Sequence, residues 1–275
     1  MDDRRGTSRA RGRIRSVRLV AAASAALLAL LVSACGGGGD EGTGGAGAVK
    51  PAAISQEDLT KLPDATTYGD LPGAPKDPGG DGTGTVLHPK QDLVVYSQVD
   101  GEPIAKLPTR QVGSPTWVPV IAEQGEWAQV LLPTRPNGAS GWVHATDDAV
   151  ESATNDYAVI VDRDAFRLEI TKNGESLGSW TIGTGKPEHP TPKGRAYIIA
   201  SIKETVNDYS PIVLPLSYHS DSHETFGGGP GTVGIHTWPD NSFVGKATSD
   251  GCIRVTQEAL DQLVKLPLGT IVDIV

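Results

Sequence analysis

The chain has 275 residues and a formal net charge of −9 at pH 7. Its first 34 residues hold seven arginines and two aspartates, so the remainder carries 17 basic against 31 acidic side chains and sits near −14. So acidic a chain repels phosphate backbones and anionic lipid surfaces, and no nucleic-acid partner is expected.

The first element in chain order is a leader. Arg4, Arg5, Arg9, Arg11, Arg13, Arg15 and Arg18 precede an uncharged apolar run of sixteen residues, Leu19 to Ala34. That is short for a membrane span and ends in small residues, so residues 1–34 read as a secretory signal peptide. The junction "LVSAC" resembles the lipobox of bacterial lipoproteins, which implies cleavage before Cys35, diacylation of its sulfur and anchoring on the outer face of the cytoplasmic membrane. The alternative is an ordinary leader that leaves Cys35 as a free terminal thiol. Residues 36–49, "GGGGDEGTGGAGAV", cannot bury a core, and the Pro-, Gly- and Asp-rich stretch to residue 85 extends them, so 35–85 is expected to be a flexible tether. Within it "ISQEDLTKL" offers one helical turn at most.

Composition changes at Val86. "LVVYSQ", "WVPVIAEQGEWAQVLLP" and "GASGWVHA" are short β-rich runs divided by Gly, Pro and Asn turns, the pattern of a small barrel or sandwich over residues 86–150. "GEWAQVLL" with "GWVHA" resembles a bacterial SH3-like domain, which implies that Trp127 and Trp142 are core aromatics. No ligand groove is legible there, so a spacer is the simpler expectation than a wall-binding module.

A third segment, 156–275, is mainly β. "YAVIVD" and "FRLEIT" read as strands, Asn173-Gly174 is a two-residue hairpin signal, and "GRAYIIAS" is a further strand. Thr256 can cap a short helix, "QEALDQLVKL", with Leu260, Leu263 and Val264 on one face, and "TIVDIV" closes the chain as a strand.

With Cys35 assigned to the lipobox, Cys252 is left unpaired in a disulfide-permissive compartment. A thiol with a pKa near ~8.5 is mostly protonated at neutral pH. It becomes an acyl-transfer nucleophile when an imidazole takes its proton, a third group fixes that imidazole, and N–H donors face the developing oxyanion. Gly251 lets backbone or substrate approach closely. His236, at the end of the apolar "VGI", is the available base.

Spacing alone does not pair these residues. "GIH" followed by "SDGCIRV" resembles the active-site signature of the L,D-transpeptidases of bacterial cell walls, and "TPKG", "FGGGPGTVGIH" and "PLGTIVDI" match in kind and order. The resemblance implies a β-sandwich catalytic domain with one short helix after the cysteine. It implies that Cys252 attacks the diaminopimelate carbonyl of a tetrapeptide stem of peptidoglycan and expels D-Ala, with His236 as base and then acid. An amine of a neighbouring stem resolves the thioester and forms the cross-link. The Thr237 carbonyl would orient His236, Ser249 and Gly251 would shape the oxyanion pocket, and Arg254 would neutralise a substrate carboxylate or brace the loop. "TPKG" would form a substrate-side hairpin. No metal or organic cofactor is implied, and carbapenem-type inhibitors are expected to acylate Cys252. Two positions depart from the family: Asp250 stands where it has histidine, and Thr237 where it has glycine. Asp250 puts a negative charge beside the thiol unless it turns away or pairs with a cation such as Arg254 or protonated His236.

His219 and His223 in "YHSDSHE" have a spacing that suits a metal on a helix, but their setting reads as surface loop. Tyr218 and Phe226 fit a substrate channel or a core equally. The other readings of the domain are an L,D-carboxypeptidase that uses water as acceptor and a non-catalytic wall-binding lipoprotein.

Overall fold

In a computed structural model, residues 49–206, 208–226 and 228–275 are described. The expected signal peptide, Cys35 and the Gly-rich run to residue 48 lie outside them.

The described chain is mainly β. Residues 85–154 build one seven-stranded antiparallel sheet, in the order Pro103–Leu107, Leu93–Tyr96, Ser140–His144, Trp127–Leu131, Val118–Gln124, Thr85–Pro89, Val150–Thr154. Its core holds Val95, Leu107, Val118, Val130 and Val143, all fully buried. Trp127 is buried and meets Tyr96 edge-on at 5.2 Å. Trp142 is only half-buried, so it is not the second core aromatic that the resemblance implied.

Residues 156–275 form two larger sheets and a two-stranded parallel pair, Thr184–Gly185 with Ala247–Ser249. The first runs Glu175–Thr181, Arg167–Lys172, Tyr157–Asp162, Ile271–Ile274, Gly194–Tyr197, with Tyr157–Asp162 and Ile271–Ile274 parallel. Its hairpin turns at Asn173 and Gly174, both with positive φ (50° and 78°), as a primed turn requires. The strand entered by "TPKG" pairs with the closing strand, so this motif opens no hairpin of its own. The second sheet runs Ile202–Lys203, Ile212–His219, Thr232–His236, Ile253–Arg254. The two sheets share a core that includes Val161, Leu168, Leu216, Ile235 and Ile253. The helix Gln257–Leu263, capped by Thr256, packs Ala259, Leu260 and Leu263 into it. Val264 ends that helix half-exposed, outside the apolar face predicted for it.

Residues 63–77, expected to belong to a flexible tether, are packed against the fold. The helix Gln56–Lys61 buries nothing, but the chain after it is laid across both halves of the structure. Ala65 and Leu71 are buried in the seven-stranded sheet's core. Backbone bonds link Ala65 and Pro63 to Lys106, Leu71 and Gly69 to Arg135, and Asp77 to Gly138. Asp77 reaches the other half, where its carboxylate takes a forked pair of hydrogen bonds from Arg195, both side chains about nine-tenths buried. Residues 63–77 therefore form a strap. Their composition resembles a linker because most of their bonds go to polar backbone edges, which demand no apolar periodicity.

Candidate active site

His236 is the last residue of Thr232–His236, and Ile253–Arg254 lies parallel beside it with Ile235 opposite Ile253 and His236 opposite Arg254. This register brings Cys252, at the entry to the short strand, next to Gly234. Cys252, His236 and Gly234 all line one open cavity of about 480 Å³. Its walls also include Tyr209 and Phe226 from the catalytic half, Thr67 and Tyr68 from the strap, and Val112 from the N-terminal sheet domain.

The imidazole of His236 is buried, and its Nδ1–H donates to the Thr237 carbonyl at 2.6 Å. That bond fixes the tautomer and leaves Nε2 as the basic nitrogen. Burial lowers the His236 pKa to about 4, opposed by the Thr237 bond and aided by the charge of Arg254. The ring is therefore neutral at ordinary pH. Thr237 is itself held, its N–H by Ser210 Oγ at 3.0 Å and its hydroxyl by the Tyr209 carbonyl at 3.2 Å. Threonine in place of the family's glycine thus adds an anchor and does not crowd the histidine.

Burial also raises the Cys252 pKa, partly offset by a bond involving the Gly234 backbone and by Arg254. Burial therefore favours the neutral form of both the thiol and the imidazole. Asp250 contributes least to that rise. Its cation is neither Arg254 nor His236: Lys186 Nζ lies 2.6 Å from Asp250 Oδ1, and the carboxylate is half-exposed, so the charge is met on the solvent side of the loop.

The loop before the cysteine is pinned by its own polar groups. Ser249 Oγ donates to the Cys252 carbonyl at 2.5 Å and accepts from Gly251 N–H at 3.2 Å. Thr191 Oγ1 donates to the Gly251 carbonyl at 2.8 Å and accepts from Gly185 N–H at 2.9 Å. Ser249 and Gly251 thus hold the loop's shape and offer no free donor of their own to an oxyanion. Gly251 has φ +118°, a value L side chains rarely adopt, yet a Cβ there would meet nothing closer than 3.7 Å. Glycine is needed for the dihedral angle, and no neighbouring backbone requires it for close approach.

Arg254 lies with its guanidinium 3.7 Å from the centre of the Trp238 ring. The Trp238 ring tilts toward His236 and Tyr209, and Tyr209 meets His236 edge-on at 4.9 Å. The stack is the geometry of a brace. Tyr209 and Trp238 were not picked out in the sequence, where an isolated aromatic in a loop carries no periodic signal. Of the other candidates, Tyr218 is a core residue and Phe226 lines the cavity. His219, expected on a surface loop, is fully buried at the end of an eight-residue strand, with Nε2 2.7 Å from the Thr67 carbonyl.

Residues 156–274 match the family model described as the L,D-transpeptidase catalytic domain, YkuD. No curated protein sequence matches the chain significantly. Among solved structures, the chain is similar to an L,D-transpeptidase from Stackebrandtia nassauensis at 20% identity, over 45% of this chain and 57% of that one, with a TM-score of 0.33. It is similar to the catalytic domain of an E. faecium L,D-transpeptidase at 22% identity, over 44% of this chain and 98% of that one, with a TM-score of 0.35. It is also similar to an LD transpeptidase in complex with imipenem at 16% identity, over 70% of this chain and 82% of that one, with a TM-score of 0.36. The family match thus covers residues 156–274, the two-sheet half of the chain that carries Cys252 and His236.

Proposed function

We propose that the protein is an exported peptidoglycan L,D-transpeptidase, anchored through lipid on Cys35 to the outer face of the cytoplasmic membrane. The observation that carries this reading is that Cys252 lines the same cavity as a histidine whose Nδ1 is locked on Thr237 O at 2.6 Å.

In the proposed cycle, His236 Nε2 takes the thiol proton as Cys252 Sγ bonds to the carbonyl carbon of the third stem residue. The tetrahedral intermediate collapses, the amide C–N bond breaks, and D-Ala leaves with the proton returned by His236. A thioester remains. The amine of a second stem attacks it, His236 accepts the amine's proton, and the sulfur departs and is reprotonated. The Cys252 N–H, which engages no acceptor among the described residues, is the donor assigned to the oxyanion. The cleft is open and part-walled by strap and N-terminal domain, and the acceptor assigned to it in this reading is the amine of a second stem. A carbapenem, as an acylating β-lactam, would be trapped at the same sulfur.

The test is incubation of the purified protein with stem tetrapeptide, following D-Ala release and dimer mass together. Release with dimer is expected, and both should vanish in Cys252→Ala. Release without dimer would make the protein a carboxypeptidase. No release from a folded protein would refute catalysis.

A further inference from the structure

Outside the catalytic pair, a second cluster of titratable groups stands on the other side of the Cys252 loop. His189, His223 and Asp250 come from three separate loops, yet each offers a ligand atom within 4.8 Å of the other two. The two imidazole rings face each other with centroids 4.0 Å apart. Tetrahedral zinc holds its ligands at ~2.0–2.2 Å, so these atoms converge on one ion with only side-chain rotation.

Three features mark the cluster as a built site and not a chance encounter of histidines. First, Ser222 Oγ lies 2.8 Å from His189 Nδ1, the outer-shell bond that typically orients a metal-binding imidazole and leaves Nε2 free. Second, His223 Nε2 is buried and has no hydrogen-bond partner among the described residues, a costly arrangement that a metal bond would relieve. Third, each loop is fixed by its backbone. His189 N–H bonds Lys186 O, Lys186 N–H bonds Ser249 O, and His223 N–H bonds Ser220 Oγ. The Arg135 guanidinium holds the His223 loop further through the carbonyl of Pro230 at 3.0 Å. The ligands are thus presented by a frame that already exists.

We propose that His189, His223 and Asp250 form a site for a divalent transition ion, with Zn²⁺ as the ion tested, tying the 186–191 and 220–226 loops to the loop that carries Cys252. Two imidazoles and a carboxylate suit a borderline ion over Ca²⁺ or Mg²⁺, which prefer all-oxygen sites. Asp250 is where the chain departs from the L,D-transpeptidase signature, and one of its oxygens is held by Lys186. A carboxylate has two oxygens, so it can serve Lys186 and an ion together. The fourth position is open to water or to a substrate carboxylate. The ion takes no part in the thiol chemistry; it fixes the rim of the cleft.

The test uses the full chain, stripped of metal by chelator and titrated with Zn²⁺ against a chromophoric chelator, then with Co²⁺ by absorption. One ion per chain at micromolar or tighter affinity is expected. So are Co²⁺ d–d bands of tetrahedral type without sulfur-to-metal charge transfer, and a rise in Tm on loading. His223→Ala, His189→Ala and Asp250→Asn should each weaken binding at least ~10-fold, while Cys252→Ala leaves it unchanged. Because His189 and Asp250 lie on partly exposed loops, these variants test the site without challenging the core. Absence of binding, binding lost in Cys252→Ala, or undiminished affinity in the two histidine variants would overturn the assignment.

Discussion

His236 and His219 are both buried, both end adjacent strands of one sheet, and both have pKa values lowered chiefly by desolvation. Their surroundings separate them. His236 spends Nδ1 on its neighbour's carbonyl and lines the cavity that Cys252 shares. His219 spends Nε2 on the strap, through the Thr67 carbonyl at 2.7 Å and hydroxyl at 3.1 Å, and its Nδ1 is buried without a partner among the described residues. A buried imidazole with a depressed pKa is therefore no sign of catalysis by itself. What distinguishes the base is a free nitrogen on a cavity shared with a nucleophile.

The sharpest way to break the comparison is to remove each ring. His236→Ala should slow acylation of Cys252 by a carbapenem about 10²–10⁴-fold while leaving a slow residual reaction, followed by intact-protein mass. His219→Ala should leave acylation within a few-fold of the parent and lower the unfolding free energy by about 1–3 kcal/mol through the orphaned Thr67 groups. Equal kinetic losses in the two variants would erase the distinction drawn between them.

The seam to which His219 belongs has a second, ionic strut. Asp77→Ala takes the forked carboxylate from the Arg195 guanidinium, 9% exposed, and leaves it the Gly80 carbonyl and the more distant charge of Asp273. An unpaired buried charge of this kind costs about 3–5 kcal/mol, so the urea midpoint should fall markedly. A loss below about 1 kcal/mol would mean that strap and catalytic half come apart readily and that the cleft wall is not fixed.

Acid probes both rings at once. Each is neutral when buried, with a folded pKa below the unfolded value near ~6.5, so the unfolded chain binds protons that the native state cannot. Their contribution is complete above about pH 6.5 and is lost as pH falls, for His236 down to about 4. Tm should decline across that window, more gently in His219→Ala. If His236 is the base as proposed, the acid limb of the acylation rate should lie near pH 4 and not near 6.5, where its neutral form is lost. A limb near 6.5 would place the base on an exposed imidazole.

The two regions also differ in how far the sequence discloses them. Cys252, Gly251, Arg254 and His236 fall in one short stretch that a resemblance can carry, and the strands around them alternate or run apolar. The hairpin at Asn173-Gly174 and the cap at Thr256 were legible because turn and cap chemistry is local. The strap was not. Asp77 finds Arg195, and Thr67 finds His219, across more than a hundred residues, through isolated polar contacts that leave no period. Lys186 as the partner of Asp250, and Thr191 as the support of Gly251, were hidden for the same reason. His219 looked exposed because "SDSHE" follows it, although "IVLPLSYH" is a strand with its last six residues buried, where alternation is absent.

Tyr68 offers the smallest effect and the finest test of what the strap does beyond holding the halves together. Its side chain is 69% exposed and lines the cleft, while its neighbour Thr67 makes the structural bonds to His219 and Thr232. Tyr68→Ala removes ring surface from the cleft without touching those bonds, so stability should stay within about 0.5 kcal/mol. If the strap contributes to peptide binding, KM for D-Ala release from the tetrapeptide should rise about 2–5-fold with kcat unchanged, the pattern of lost uniform binding. An unchanged KM would confine the strap to architecture, and a fall in kcat alone would mean that the ring positions the reacting carbonyl against Cys252.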